Sequence, residues 1–307
     1  MPPGFARPGN RNVKPIRKRP QRTIARPAEA EGIGFITGRR IALRFLPAPA
    51  NTGIVFARTD LGPDALVSGH INHVTGTARR TTLGNSPISV TLVEHVMASL
   101  RGLQIDNCVV ELDGPEPPGL DGSALAFVQS LADSGVVLQT ETKTVYAVET
   151  TVMVRSGDAT LAIHPPKSNE FRISYLLDYG PASPIVRQIF TDDVTPDSFV
   201  RGIAPCRTFL LEEEAVMLQK QGLGSNTKIT DLLVFGPRGP IDNALRFGNE
   251  PARHKALDIV GDLSLLGVEI AGHVVAFRSG HELNIELVRA LSQQMLQVSL
   301  QRGRRAA

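Results

Sequence analysis

Arg253-His254-Lys255-Ala256-Leu257-Asp258-Ile259-Val260-Gly261-Asp262 places apolar side chains at Ala256, Ile259, Val260 and, just beyond, Leu263. This is the i, i+3, i+4, i+7 spacing of a helix stripe turned toward a core. His254, Asp258 and Asp262 follow one another at four-residue steps and stack along an adjoining face, with Lys255 on its flank. A His and an Asp one turn apart can grip one metal ion, and a carboxylate a further turn on can orient a neighbouring group. A solvated helix face carries the same pattern, so the rest of the chain has to decide between the two readings.

A second stretch has the same build. In Thr91-Leu92-Val93-Glu94-His95-Val96-Met97-Ala98-Ser99-Leu100, residues Val93, Val96, Met97 and Leu100 form a helical stripe, and Glu94 and His95 lie off it. Thr91-x-x-Glu94 is also a capping box, and on this segment alone that structural role is the favoured one for Glu94. A strand follows at Ile105–Leu112, stopped by Asp113-Gly114-Pro115, and then a helix with Ala124, Phe127, Val128 and Leu131 in register. Asp121 stands where its N-cap would be and Gly135 just past its end. Alternation at Ile41, Leu43, Phe45 and at Phe171, Ile173, Tyr175, Leu177 predicts half-buried strands. His254 lies 159 residues after His95, and Leu287-Val288-Arg289-Ala290-Leu291 lies 160 after Phe127-Val128-Gln129-Ser130-Leu131. The expected fold is therefore α+β, with two similar domains, each a small sheet layered with two helices, packed so that the active site lies between them. The expected divisions are a basic, Pro-rich mobile tail at 1–22, a first domain at 23–143, a second at 144–300 and a basic C-terminal tail at 301–307.

The 307 residues, 42% hydrophobic and 21% charged, suit a globular chain with room for two cores. No apolar run is long enough to predict a transmembrane helix, and two cysteines, Cys108 and Cys206, make no disulfide framework, which suits a reducing cytosol. The net charge of +3 is unevenly spread: residues 1–28 hold eight Lys or Arg and no acid, leaving the remainder at −5. Such a segment can bind nucleic acid or anionic lipid, but with few aromatics in it the expectation is a solvated extension and no stable nucleic-acid partner.

If the two halves pack as pseudo-symmetric partners, the start of one helix meets its counterpart and brings His95 toward His254 and Asp258. Two His and one Asp leave the fourth position of a tetrahedral Zn²⁺ open, which is the arrangement of a catalytic site. Glu94 beside a ligand is then the natural general base.

Taken together, Thr91 to Leu100, Leu112-Asp113-Gly114-Pro115, Leu120-Asp121-Gly122-Ser123-Ala124, Arg207-Thr208-Phe209, Leu245-Arg246-Phe247, Arg253-His254-Lys255-x-x-Asp258-x-x-Gly261-Asp262-Leu263 and Ser279-Gly280-His281-x-x-Asn284 resemble, in order, the LpxC-type UDP-3-O-acyl-N-acetylglucosamine deacetylases of lipid A biosynthesis. The likeness covers roughly residues 23–295. It implies a cytoplasmic, monomeric zinc hydrolase, with Fe²⁺ as the alternative metal, that removes acetate from a UDP-linked acylated amino sugar. By motif position it implies His95, His254 and Asp258 as metal ligands, and Glu94 as base toward the zinc-bound water. His281 becomes the cationic acid or oxyanion stabiliser, Asp262 its support and Thr208 an oxyanion donor, with Phe209 and Lys255 on the substrate. Leu218, Leu223, Ile229, Leu232 and Leu233 lie where the family builds an apolar passage for the acyl chain. Ile36 stands where the family usually has His, and the basic extension is a second departure. Two other readings remain open: a metal-dependent deacetylase of another N-acyl amino sugar, and a nucleic-acid or membrane-surface binder acting through the tail.

Overall fold

A computed structural model describes residues 13–224, 226, 228 and 231–306. The fold is α+β. One sheet has five strands in the order Ala28–Ile33, Arg40–Pro47, Cys108–Leu112, Ile54–Arg58, Leu66–Ser68. The Arg40–Pro47 strand buries Ile41, Leu43 and Phe45 and turns the intervening residues outward, the alternation a half-buried strand requires. The larger sheet has seven strands, with Glu269–Phe277 at its centre between Val136–Val148, Ala159–His164 and Phe171–Leu177. Among the described residues six α-helices accompany them: α1 (Glu94–Gly102), α2 (Leu125–Ser134), α3 (Pro196–Gly202), α4 (Glu212–Lys220), α5 (Glu250–Ser264) and α6 (His281–Ala306). Helix α2 packs on the first sheet, α5 and α6 pack on the second, and α1 meets both α2 and α5. We propose that the chain divides at 143/144, just before the strand Val136–Val148, already paired with Val13–Ile24 in the larger sheet, begins at Val145 to pair with Glu269–Phe277 as well.

The two halves meet where α1 crosses α5. Gly261 permits this: a methyl group there would overlap the carbonyl oxygen of Glu94. Glycine at that position lets the main chains touch, which seats the start of α1 against the polar face of α5. All four residues of the α5 stripe, Ala256, Ile259, Val260 and Leu263, are buried.

Each half also carries a three-stranded ribbon absent from the simple layered unit. One comprises Val74–Gly76, Thr82–Asn85 and Ile88–Thr91; the other comprises Phe209–Leu211, Leu233–Gly236 and Gly239–Pro240. These strands are two to four residues long, too short for an alternation pattern to reveal.

The N-terminal expectation needs correcting. Residues 1–12 lie outside the described residues, but 13–22 belong to the strand Val13–Ile24, paired antiparallel with Val136–Val148. The prolines that suggested a mobile tail are tolerated because this is an edge strand and register shifts follow Pro15 and Pro20. Its basic residues are not all solvated either. Arg19 is buried, donating two bonds to Asp106 (2.6 and 2.9 Å) and a third to Glu269. At the other end, the expected tail at 301–307 continues α6 through Ala306, and Ala307 lies outside the described residues. Among the described residues no helix is long and apolar enough to cross a membrane, and both cysteines are buried and unpaired.

Arg19 sets the acid limit of the fold. Burial opposes ionisation of Asp106 and Glu269, yet the surrounding cations (Arg19 and Lys143 for Asp106, Arg101 and Arg19 for Glu269) outweigh it and hold both carboxyls below their ordinary values. A depressed carboxylate contributes stability that is complete above its unfolded pKa, about 4, and fades as pH falls through the lower folded value. Arg19→Met is expected to cost about 3–5 kcal/mol at pH 7, as for any buried pair deprived of one partner. Its loss of urea resistance should also begin at higher pH than in the parent chain. Urea midpoints between pH 7 and 3 check both statements, and superimposable curves would remove Arg19 from the account.

Candidate metal centre and active site

Helix α1 enters from Leu92, a non-glycine residue at φ 56°, through Val93, whose side chain makes no capping bond. The capping-box reading of Thr91 and Glu94 does not hold. Glu94 is the first residue of the helix and not the third, and the Thr91 hydroxyl is engaged by Arg80 and Thr82 instead. Glu94 is therefore free to turn inward, where it is 3% exposed and accepts the backbone N–H of Thr81 at 3.1 Å.

Opposite it, α5 presents His254, Asp258 and Asp262, all buried. One ligand-capable atom from each of His95, His254 and Asp258 falls within 4.8 Å of the others. The two imidazole rings stand edge to face, 5.0 Å between centroids. Asp258 Oδ1 lies 3.4 Å from His254 Nε2 and 3.9 Å from His95 Nε2. That oxygen is buried and has no hydrogen-bond partner, while its twin Oδ2 accepts from Lys255 Nζ at 2.8 Å. A buried carboxylate oxygen left bare between two imidazoles fits a cation, because without one its desolvation is uncompensated. His254 Nδ1 lies 3.0 Å from the carbonyl of Cys206. With the proton on Nδ1 donating to that carbonyl, the Nε2 lone pair faces Asp258 and His95, the orientation a metal ligand needs.

The electrostatics suit the same ion. Burial, with His254 beside it, lowers His95 to about 3, and burial lowers His254 as well, so both rings are neutral. Burial works against the charge of Asp258, but Lys255 and then the histidines hold its carboxyl well below the usual range. Lys255 is likewise penalised by burial, yet Asp258 and the Tyr179 and Tyr175 hydroxyls keep it firmly protonated.

A second group stands beside the first. His281, the first residue of α6, lies with Nε2 3.9 Å from Glu94 Oε1 and 3.8 Å from Asp258 Oδ2, and with Nδ1 2.9 Å from Asp262 Oδ2. Burial disfavours its charge, but Asp262, Asp258 and Glu94 together outweigh that and lift it to about 9. Burial lifts Glu94 to about 7 against the pull of His281. The pair has the separated proton affinities of an acid and a base that share one pocket.

Thr208 is half-buried at the start of the Phe209–Leu211 strand, its N–H bonded to the carbonyl of Gly122 at 2.8 Å. Phe209 is buried, its ring 6.1 Å from that of His254, with Lys255 Nζ 5.6 Å from its centroid. Leu232 and Leu233 are buried, Leu218 and Leu223 half-buried, and Ile229 lies outside the described residues. Ile36 donates its backbone N–H to the buried carboxylate of Glu116. His73 ends the three-residue turn Ile71–His73, and His70 caps that turn, its Nδ1 accepting from Asn72 N–H.

Sequence reasoning overlooked Thr81 and Glu250. The Thr81 hydroxyl donates to Asp262 Oδ1 at 2.6 Å while its N–H holds Glu94, so a single residue contacts both the acid's support and the base. Glu250, fully buried at the start of α5, accepts from Arg207 Nε at 2.8 Å and from the backbone of Arg207 and Arg246. It ties the Thr208-Phe209 segment to the helix that carries His254. Arg207-Thr208-Phe209 and Leu245-Arg246-Phe247 had marked both flanks of this contact without revealing the carboxylate between them.

Comparison with known proteins identifies the family of the chain. Residues 21–293 match the family model described as UDP-3-O-acyl N-acetylglycosamine deacetylase. The chain is 40% identical over 273 residues to the UDP-3-O-acyl-N-acetylglucosamine deacetylase of Geobacter sp. strain M21, covering 88% of each chain. It is 39% identical over 275 residues to the protein of that name from Chlamydia abortus, covering 89% of this chain and 97% of the relative. Against that of Nostoc sp. strain PCC 7120 it is 39% identical over 277 residues, covering 88% and 98%.

Proposed function

The chain belongs to the UDP-3-O-acyl N-acetylglycosamine deacetylase family, and on that premise we propose that it removes acetate from UDP-3-O-acyl-N-acetylglucosamine in lipid A biosynthesis. The observation that carries this reading to residues is the convergence of His95, His254 and Asp258 beside Glu94 and His281. His95, His254 and Asp258 would hold one divalent ion, zinc by the chemistry of a His-His-carboxylate set and iron(II) as the alternative. When bound, such an ion polarises the amide carbonyl and makes water a better nucleophile.

The chain's own groups do the rest. Glu94 takes a proton from the attacking water as the new carbon–oxygen bond forms. His281, charged and fixed by Asp262, faces the developing oxyanion and passes a proton to the amine as the carbon–nitrogen bond breaks. Acetate and a free 2-amino sugar result. Thr208 offers its hydroxyl to the same oxyanion. Lys255 contacts the substrate's polar groups, Phe209 packs on the sugar face, and Leu218, Leu223, Leu232 and Leu233 line the way for the acyl chain. The enzyme acts as a cytoplasmic monomer.

The test compares acetate release from the 3-O-acylated UDP-sugar and from its unacylated parent. Strong dependence on the acyl chain is expected, whereas equal turnover would assign the chain to deacetylation of another N-acyl amino sugar. Thr81 supplies a second check. Thr81→Val strands an oxygen of buried Asp262 and should lower kcat roughly tenfold with KM and metal content unchanged, while Thr81→Ser stays near the parent. Equal rates in the two variants would make the Thr81 hydroxyl irrelevant to His281.

A further inference from the structure

Three donors converge on the carboxylate of Asp262. The Thr81 hydroxyl reaches Oδ1 at 2.6 Å, and Oδ2 is shared between His281 Nδ1 at 2.9 Å and the amide Nδ2 of Asn284 at 2.8 Å. His281 and Asn284 stand three residues apart in the first turn of α6, so their side chains lie on one face of it. Asn284 is 1% exposed, and its Oδ1 is buried with no hydrogen-bond partner among the described residues. Turning the amide over would set that oxygen against Asp262 Oδ2, acceptor against acceptor, so the donor has to point at the carboxylate.

A bare buried amide oxygen is a cost that an apolar residue of the same branching would not incur. The docking of α6 does not call for it. Leu283, Ile285, Leu287 and Val288 bury the helix, and the Tyr175 hydroxyl holds the chain just ahead of it by donating to the carbonyl of Ser279. What Asn284 supplies is a donor that keeps its proton, aimed at the oxygen that also faces His281. We propose that Asn284 is a positioning residue for the deacetylation: it keeps Asp262 an acceptor at Oδ2 and so keeps a ring proton of His281 on Nδ1. The proposal rests on the deacetylase reading. As His281 gives its Nε2 proton to the leaving amine, Nδ1 retains its own and Asp262 gains none, so the ring ends neutral with the Nε2 lone pair 3.9 Å from Glu94 Oε1. Were the Nδ1 proton to pass to Asp262 instead, the neutral ring would hold its Nε2 proton back from the amine.

Asn284→Leu keeps the branching of the side chain and removes the donor and the bare oxygen together. In the full, metal-loaded chain kcat for acetate release is expected to fall roughly ten- to a hundredfold, the size of one bond to a charged group, with KM, metal content and urea midpoint near those of the parent. A merely structural role gives the reverse, a lower urea midpoint with kcat unchanged, and that result would overturn the proposal. The second measurement needs no substrate. The Nδ1 proton of His281, shielded from solvent on Asp262, should give a downfield NMR line recognised by its loss in His281→Gln. In Asn284→Leu the line is expected to shift or broaden away; an unmoved line rules out the lock even if kcat falls. Asn284→Ala replaces Asn284→Leu in both measurements if the latter does not fold. A parent chain whose line depends on Asn284 but which releases no acetate counts against the deacetylase reading and leaves the hold on Asp262 and His281 standing.

Discussion

Glu94→Gln is expected to lower kcat by about 10²–10⁴-fold, the range for a lost general acid–base group, while bound metal and KM stay unchanged. The amide keeps the volume of the carboxylate and can still accept the Thr81 N–H that now reaches Glu94 Oε2 at 3.1 Å, so the start of α1 should hold its position. What the amide cannot do is take a proton. Burial puts Glu94 at about 7, high for a carboxylate, so near neutrality it exchanges a proton with water at little cost. Single-turnover rates and metal analysis on the same preparation separate the two effects. Native turnover in a variant that keeps its metal would remove Glu94 from proton transfer.

His254→Ala should have a different signature: loss of the ion itself, and of turnover with it. Of the three groups in the cluster, His254 has its ring most firmly aimed, by the Cys206 carbonyl on one nitrogen and Asp258 on the other side. Removing it leaves one imidazole and one carboxylate, too few for a tetrahedral catalytic site. The fall in metal affinity should exceed the roughly 10–100-fold typical of a supporting residue. Lys255→Met provides that smaller comparison, since Lys255 touches only the outer oxygen of Asp258. Equilibrium dialysis against zinc orders the three proteins. Equal affinity for parent and His254→Ala would place the ion elsewhere.

Much of this arrangement was legible because it rests on periodicity. The stripe through Ala256, Ile259, Val260 and Leu263 and the alternation of Ile41, Leu43 and Phe45 express burial directly, and both segments adopt the expected elements. The ordered motifs carried the rest of the reading. What stayed hidden has partners far away in sequence. Thr81 meets Asp262 across 181 residues, and Arg19 meets Glu269 across 250, and no local pattern records such a contact. Local rules also misled where tertiary structure overrode them. Thr91-x-x-Glu94 spells a cap, yet the helix begins at Glu94 because that carboxylate is drawn into the cleft. Proline and charge in residues 13–22 suggest disorder, but an edge strand with shifted register accommodates both.

The contact of Gly261 with Glu94 has a consequence for how such a chain can drift over generations. The spacing between base and ligands is set there by main chain against main chain, with no rotamer in between. Neighbouring apolar residues of α1 and α5 can exchange one volume for another, and the helices will settle by small shifts around that fixed point. Position 261 has no such freedom. Any side chain there would pry the two helices apart and carry the whole first half of the molecule away from the second.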